Sequence, residues 1–159
     1  MISDMQPESI VGDYKECILD LYGGIRRKVF YTEIETPYPD GKLIVSTTDP
    51  EGVITQVNQA FVDISGYTKE ELIGAPQSIL RHPDMPAAAY KDLWDTVKSG
   101  KTWQGFVKNL RKDGGYYWVK ATVIPNKRKG SVVGYTSVRR KPSRSRVDEC
   151  VKLYPTLKN

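Results

Sequence analysis

The stretch Arg81-His82-Pro83-Asp84-Met85-Pro86 sets a guanidinium, an imidazole and a carboxylate just ahead of a segment with helical periodicity. A guanidinium can hold a phosphate through two parallel hydrogen bonds, and the first turn of a helix offers free backbone N–H groups to an anion. That is chemistry suited to a phosphate-bearing ligand. The plainer reading of the same residues has Asp84 capping the helix and Arg81 exposed to solvent. A second set of candidates lies between Trp103 and Asn109. A period of two puts Trp103, Gly105, Val107 and Asn109 on one side of a strand, opposite Gln104, Phe106, Lys108 and Leu110. Neither side is cleanly apolar. With the Trp103 side inward, Asn109 is a buried amide, and leaving it unpaired costs about 1–3 kcal/mol. Either a bound polar ring or a local loop backbone would satisfy it.

Hydrolytic and group-transfer chemistry finds no support. Gly100-Lys101-Thr102 resembles the end of a nucleotide-binding loop, but the glycine required five positions earlier is Asp95, and the segment follows a helix rather than a strand. GxGxxG, HExxH and GxSxG are absent. His82 is the single histidine, and Cys17 and Cys150 lie far apart, so neither zinc spacing nor a disulfide framework is present. The chain is not read as an enzyme.

The elements that must position these residues follow from periodicity. Ile10, Val11, Tyr14, Cys17, Ile18, Leu21, Tyr22 and Ile25 recur at three and four, which predicts an amino-terminal amphipathic helix ending at Gly23-Gly24. A polar stretch with Pro37, Pro39 and Gly41 reads as a linker. Leu43 to Thr48 and Val53 to Val57 read as a hairpin around a type I turn at Asp49-Pro50-Glu51-Gly52. Asn58 caps a short helix, Thr68 and Glu71 form a capping box for another, and a longer helix carries Tyr90, Leu93, Trp94 and Val97. Three strands close the order: Thr102 to Arg111, Tyr116 to Ile124 and Ser131 to Arg139. Strands joined by short loops require antiparallel pairing, so an α+β fold is expected, a five-stranded antiparallel sheet with helices over one face. Residues 1–36 are assigned to the cap helix and linker, 37–141 to a sensor domain and 142–159 to a basic carboxy-terminal extension.

Composition agrees with one domain. The chain has 159 residues, 39% of them hydrophobic, and a net charge of +5. No apolar run approaches the roughly 18 residues of a membrane helix, and the start lacks a secretory leader, so a cytoplasmic location is expected. Lys127-Arg128-Lys129 reads as a hairpin loop. The run from Arg139 to Arg146 reads as a solvated exit from the sheet, and no nucleic acid is expected as a partner.

Val45-Ser46-Thr47-Thr48-Asp49, Val57-Asn58-Gln59-Ala60-Phe61, Ser65-Gly66-Tyr67-Thr68, Arg81 to Pro86, Lys108-Asn109, Tyr117-Trp118-Val119 and Gly134-Tyr135 occur in an order that resembles a PAS domain. The chain is similar in particular to the FAD-binding PAS domain of bacterial aerotaxis receptors, from roughly Pro37 to Lys141. The resemblance implies a PAS fold that binds FAD non-covalently and reports redox state or respiratory electron flow. It implies cofactor contacts at Arg81, His82 and Asp84, with Asn58, Trp103 and Asn109 as further pocket candidates. Arg81 is assigned to the pyrophosphate, Trp103 to a cofactor ring, and Asn58 and Asn109 to the polar edge of the isoalloxazine. Flavin reduction turns N5 from an acceptor into a donor, so the Asn109 amide is expected to rotate and move the sheet. Gly74 to Leu80 holds no cysteine, which excludes the cysteinyl adduct of light-oxygen-voltage domains there. The expected partner is a chemoreceptor or other signalling protein in trans, or an output domain beyond this chain, with a homodimer through the amino-terminal helix. Two alternatives remain: a haem-binding gas sensor ligated by His82, and a cofactor-free interaction module.

Overall fold

The computed structural model describes residues 2–21 and 24–157. Its amino-terminal segment is a β-hairpin and not the expected helix: β1 (Lys15–Leu21) pairs antiparallel with β2 (Ile25–Tyr31), Cys17 opposite Val29 and Leu19 opposite Arg27. Two of the residues spaced by three and four, Cys17 and Leu21, also fit alternation. Cys17, Leu19 and Leu21 turn to the protected side, while Ile18 is 58% exposed on the other. Leu19, which the helical stripe leaves out, is accounted for only by the strand. The pairing decides the matter, because β2 gives β1 a partner along its whole length and its apolar end Val29-Phe30-Tyr31 is anchored in the core. Gly-Gly is also a favoured hairpin dipeptide, and Gly24 has a φ of 76°. Tyr22 and Gly23, where the helix was expected to end, lie outside the described residues.

The segment after β2, expected as a linker, is tied down. The Tyr38 hydroxyl lies 2.7 Å from the carbonyl oxygens of Lys42 and Arg139 and donates to one of them. The main sheet follows: β3 (Ile44–Thr48), β4 (Ile54–Val57), β5 (Trp103–Leu110), β6 (Tyr116–Arg128) and β7 (Ser131–Arg140), all antiparallel, in spatial order β4-β3-β7-β6-β5. The expected α+β architecture is the one observed. Strands β6 and β7 extend further than expected, joined by a two-residue turn at Lys129 and Gly130 with φ 52° and 81°. Positive φ at both turn residues matches the right-handed twist of the strands.

Over the inner face lie α1 (Gln59–Ser65), α2 (Lys69–Leu72), a 3-10 turn at Gln77–Leu80 and α3 (Ala87–Lys98). Phe61, Leu72, Leu80 and Val97 drop from them into a core with Ile44 and Val119. Local chemistry sets the start of α2 and the turn between β3 and β4 as expected. Thr68 and Glu71 complete the capping box, and the Asp49 carboxylate accepts N–H bonds from Glu51 and Val53 in the first turn.

The outer face is also covered. The carboxy-terminal segment, read as a solvated extension, forms α4 (Arg144–Leu153), started by Ser143, whose hydroxyl accepts the Arg146 N–H. Val147 and Cys150 seal Trp118, and Met5, Val29 and Phe30 seal Leu110. This explains the mixed polarity of β5. Both of its sides are buried against something, the outer one under α4 and the hairpin.

Candidate functional site

Residues 81 and 109 come together through the backbone, as Arg81 forms an isolated antiparallel bridge with Asn109. The Arg81 guanidinium stands 4.4 Å over the Tyr90 ring of α3, and its Nε is buried with no hydrogen-bond partner. Burial pushes the Tyr90 phenol up to about 12, against a smaller opposing pull from Arg81. Asn109 is 6% exposed beside Tyr117 of β6. The Tyr117 hydroxyl is buried, forms no hydrogen bond of good geometry, and is raised to about 12 by desolvation.

His82 is wedged between two aromatic rings, 5.6 Å from Tyr31 of the hairpin and 6.0 Å from Tyr116 of β6, both edge-on. Its Nδ1 accepts the Asp84 N–H at 3.0 Å. An enclosed, backbone-bonded imidazole is the environment of a structural histidine. Asp84 does not cap the long helix as its position ahead of it suggests. Pro86 is the cap residue, without a side-chain bond, and Asp84 pairs with Lys108 at 2.8 Å. The Lys108 ammonium also lies 4.2 Å over Tyr116. A lysine from the outer side of β5 was a better partner for the carboxylate than the helix end.

The other two candidates stand apart. Asn58 has its amide fully engaged with the backbone: Oδ1 accepts from Phe61 N and Val45 N, and Nδ2 donates to Leu43 O. It caps α1 as expected and ties it to β3. Trp103 occupies the far end of the inner side of β5, about 20 Å along the strand from Asn109. Its Nε1 donates to Asp92 of α3 at 2.8 Å, and its indole lies across Gly105 so closely that a Cβ there would collide with the ring.

One buried group was missed. Arg139, expected in a solvated basic run, is 4% exposed on the inner face of β7, in a row with Ile44, Ala121 and Gly105 across four strands. Its Nη2 donates to Ser46 Oγ at 3.1 Å, its guanidinium lies 4.9 Å over Phe61, and its Nη1 has no hydrogen-bond partner. No carboxylate among the described residues forms an ion pair with it, and desolvation lowers its pKa to about 10. Period-two counting back from Arg139 through Ser137 to Tyr135 would have found it; the adjoining basic run disguised it.

A five-stranded antiparallel sheet roofed by short helices is the build of a small sensory module. The family model described as PAS fold matches residues 54–139, more than half of the sequence, and the chain belongs to that family. The aerotaxis receptor of Escherichia coli is 44% identical over 128 residues, which are 80% of this chain and 25% of that protein. The nitrogen fixation regulatory protein of Klebsiella pneumoniae is 27% identical over 125 residues, 79% of this chain and 23% of that one. This chain therefore spans about a quarter of the length of these relatives. A solved light-oxygen-voltage domain superposes with a TM-score of 0.63 at 23% identity, over 74% of this chain and 90% of that one. The PAS domain of a Colwellia psychrerythraea protein gives 0.58 at 25% identity, over 64% and 87%. The chain is a PAS signalling domain, and none of its described helices is long and apolar enough to cross a membrane.

Proposed function

We propose that this PAS domain is a cytoplasmic redox sensor that holds FAD non-covalently between the sheet and α1 to α3. The observation that carries this reading is the set of buried polar atoms without hydrogen-bond partners in that layer: Arg81 Nε, Tyr117 Oη and Arg139 Nη1. Buried polar atoms are nearly always paired, so an unpartnered set of donors in one apolar core is what a ligand rich in acceptors would satisfy. FAD fits this chemistry, with a diphosphate for a guanidinium and a ring edge of carbonyls and nitrogens for amides and phenols. Arg81 and Asn109, joined by backbone, would hold it at one end of the layer and Trp103 at the other. His82 and Asp84 would fix the Arg81 segment against Tyr31, Tyr116 and Lys108. Asn58 supports the pocket from behind as the cap of α1. Admission of a ring beside Gly105 requires the Trp103 indole to swing out from its present position. When bound, the flavin supplies reversible electron uptake, and the protein's part is to bind, shield and respond.

The 44% identity to an aerotaxis receptor supports a role in energy-linked signalling, with a chemoreceptor, another signalling protein or an output domain receiving the state. A signal exists only if the two redox states differ in their free energy of docking. Self-association through the amino-terminal segment would use exposed apolar residues of the hairpin, such as Ile18 on its outward side. The absorption spectrum of the purified full chain, with and without added FAD, tests the proposal. A two-banded yellow spectrum that bleaches with dithionite and releases FAD on denaturation is expected. A Soret band would move the assignment to haem, and a protein that stays colourless after reconstitution would leave a docking module.

A further inference from the structure

Arg139 is a cation in the wrong place for stability alone. A guanidinium that is 4% exposed, with one neutral hydroxyl as its side-chain acceptor and no carboxylate among the described residues, carries a desolvation cost of several kcal/mol that the Ser46 bond and the Phe61 ring offset only in part. Its neighbours sharpen the point. Gly105 and Ala121, in the same row across the sheet, are the smallest side chains available, so a flat group could lie close to the strands beside the guanidinium. The Tyr117 hydroxyl, also unpartnered, belongs to the same core, close enough for each to shift the titration of the other.

We infer that Arg139 is the positive partner of the acceptor-rich pyrimidine edge of the bound flavin and raises its reduction potential by favouring the reduced, anionic form. This rests on the FAD reading above and adds the residue that tunes it. The balance is explicit. Two electrons from dithionite, which is oxidised to bisulfite, and one proton from water, which goes to N5, leave one negative charge spread near N1 and the adjacent carbonyl oxygen. A buried cation there stabilises the reduced form more than the neutral oxidised one, because the attraction acts in a medium of low dielectric constant. An uncharged residue at position 139 would keep a hydrogen bond and lose the differential.

The test is the midpoint potential of the full chain loaded with FAD, measured by equilibration with a reference dye under dithionite. The wild-type potential is expected above that of free FAD. Arg139→Gln is expected to weaken binding of the reduced form ten- to hundredfold relative to the oxidised form, a fall of about 30–60 mV for a two-electron couple. Arg139→Lys, which keeps the charge, is expected to fall less. A wild-type potential at or below that of free FAD overturns the inference without any variant, and so does an Arg139→Gln potential equal to the wild type. Failure of the wild type to take up FAD would instead overturn the function proposed above, so the two failures are distinguishable.

Discussion

Two buried arginines, Arg27 of the hairpin and Arg139 of the main sheet, stand in opposite conditions. Arg27 is 3% exposed and each of its nitrogens finds an oxygen: Nε the Ser3 carbonyl, Nη1 the Ile79 carbonyl and Nη2 the Tyr67 hydroxyl. Arg139 is 4% exposed, donates to one hydroxyl and leaves Nη1 unpartnered. The first is a clamp that joins three separate segments. The second keeps a donor unused. Equal burial thus hides a difference in bonding, and hydrogen-bond accounting separates a satisfied structural cation from the one proposed to meet a ligand.

The largest expected effect comes from exchanging the two arginines for an uncharged side chain of similar length. Arg27→Met leaves Ser3, Ile79 and Tyr67 without their donor and is expected to cost about 3 kcal/mol in urea unfolding. In flavin-free protein, Arg139→Met is expected to leave stability unchanged or raise it, by about 1 kcal/mol, because an uncompensated buried charge is removed. Equal losses from both would erase the distinction.

A smaller effect sharpens the boundary of the site. Asn58→Ala removes the cap of α1 and its tie to β3 and is expected to cost about 1–2 kcal/mol. FAD bound per folded molecule should not change. Selective loss of the cofactor, with stability kept, would return Asn58 to the pocket.

The smallest effect concerns Tyr117. Its hydroxyl has no good hydrogen bond, so Tyr117→Phe is expected to change flavin-free stability by less than about 1 kcal/mol. Its pH dependence is specific. Burial holds the phenol near 12 against an ordinary 10, so the folded state keeps a proton that the unfolded chain releases. That contribution is complete below pH 10 and is lost as pH rises toward 12. Alkaline unfolding of Tyr117→Phe should lack this part of the decline.

Much of the fold was legible because local chemistry and tertiary packing agree. Asn58, Thr68 and Glu71 announce their helix starts by type and spacing, and the structure uses each as a cap. Alternation separated the two sides of β5 but did not say which faces the helices, because both sides are largely buried. The hairpin was not legible, because Cys17 and Leu21 satisfy both periods and only pairing with β2 decides between them. Asp84 was misjudged for a similar reason: its position ahead of α3 suits a cap, but Lys108 competes for it from 24 residues away. Arg139 was lost in a basic run whose next members, Arg140 and Lys141, are indeed exposed. The resemblance supplied Arg81, His82 and Asp84, and the backbone bridge from Arg81 to Asn109 joins two candidates that sequence spacing alone could not connect.

The Arg27 clamp also bears on the order of folding. Its bonds to Tyr67 and Ile79 span 40 and 52 residues, so the chain must close long loops before they form. The hairpin between β6 and β7 and the caps of α1 and α2 need no such closure, and contacts of short sequence separation form at lower entropic cost. The amino-terminal hairpin therefore docks late, onto a sheet and helices already assembled, and by the same logic is the piece that departs most cheaply. Its departure would strip Tyr31 from the face of His82 while leaving the five-stranded sheet whole, which makes the hairpin a cover with its own melting equilibrium rather than a wall of the domain.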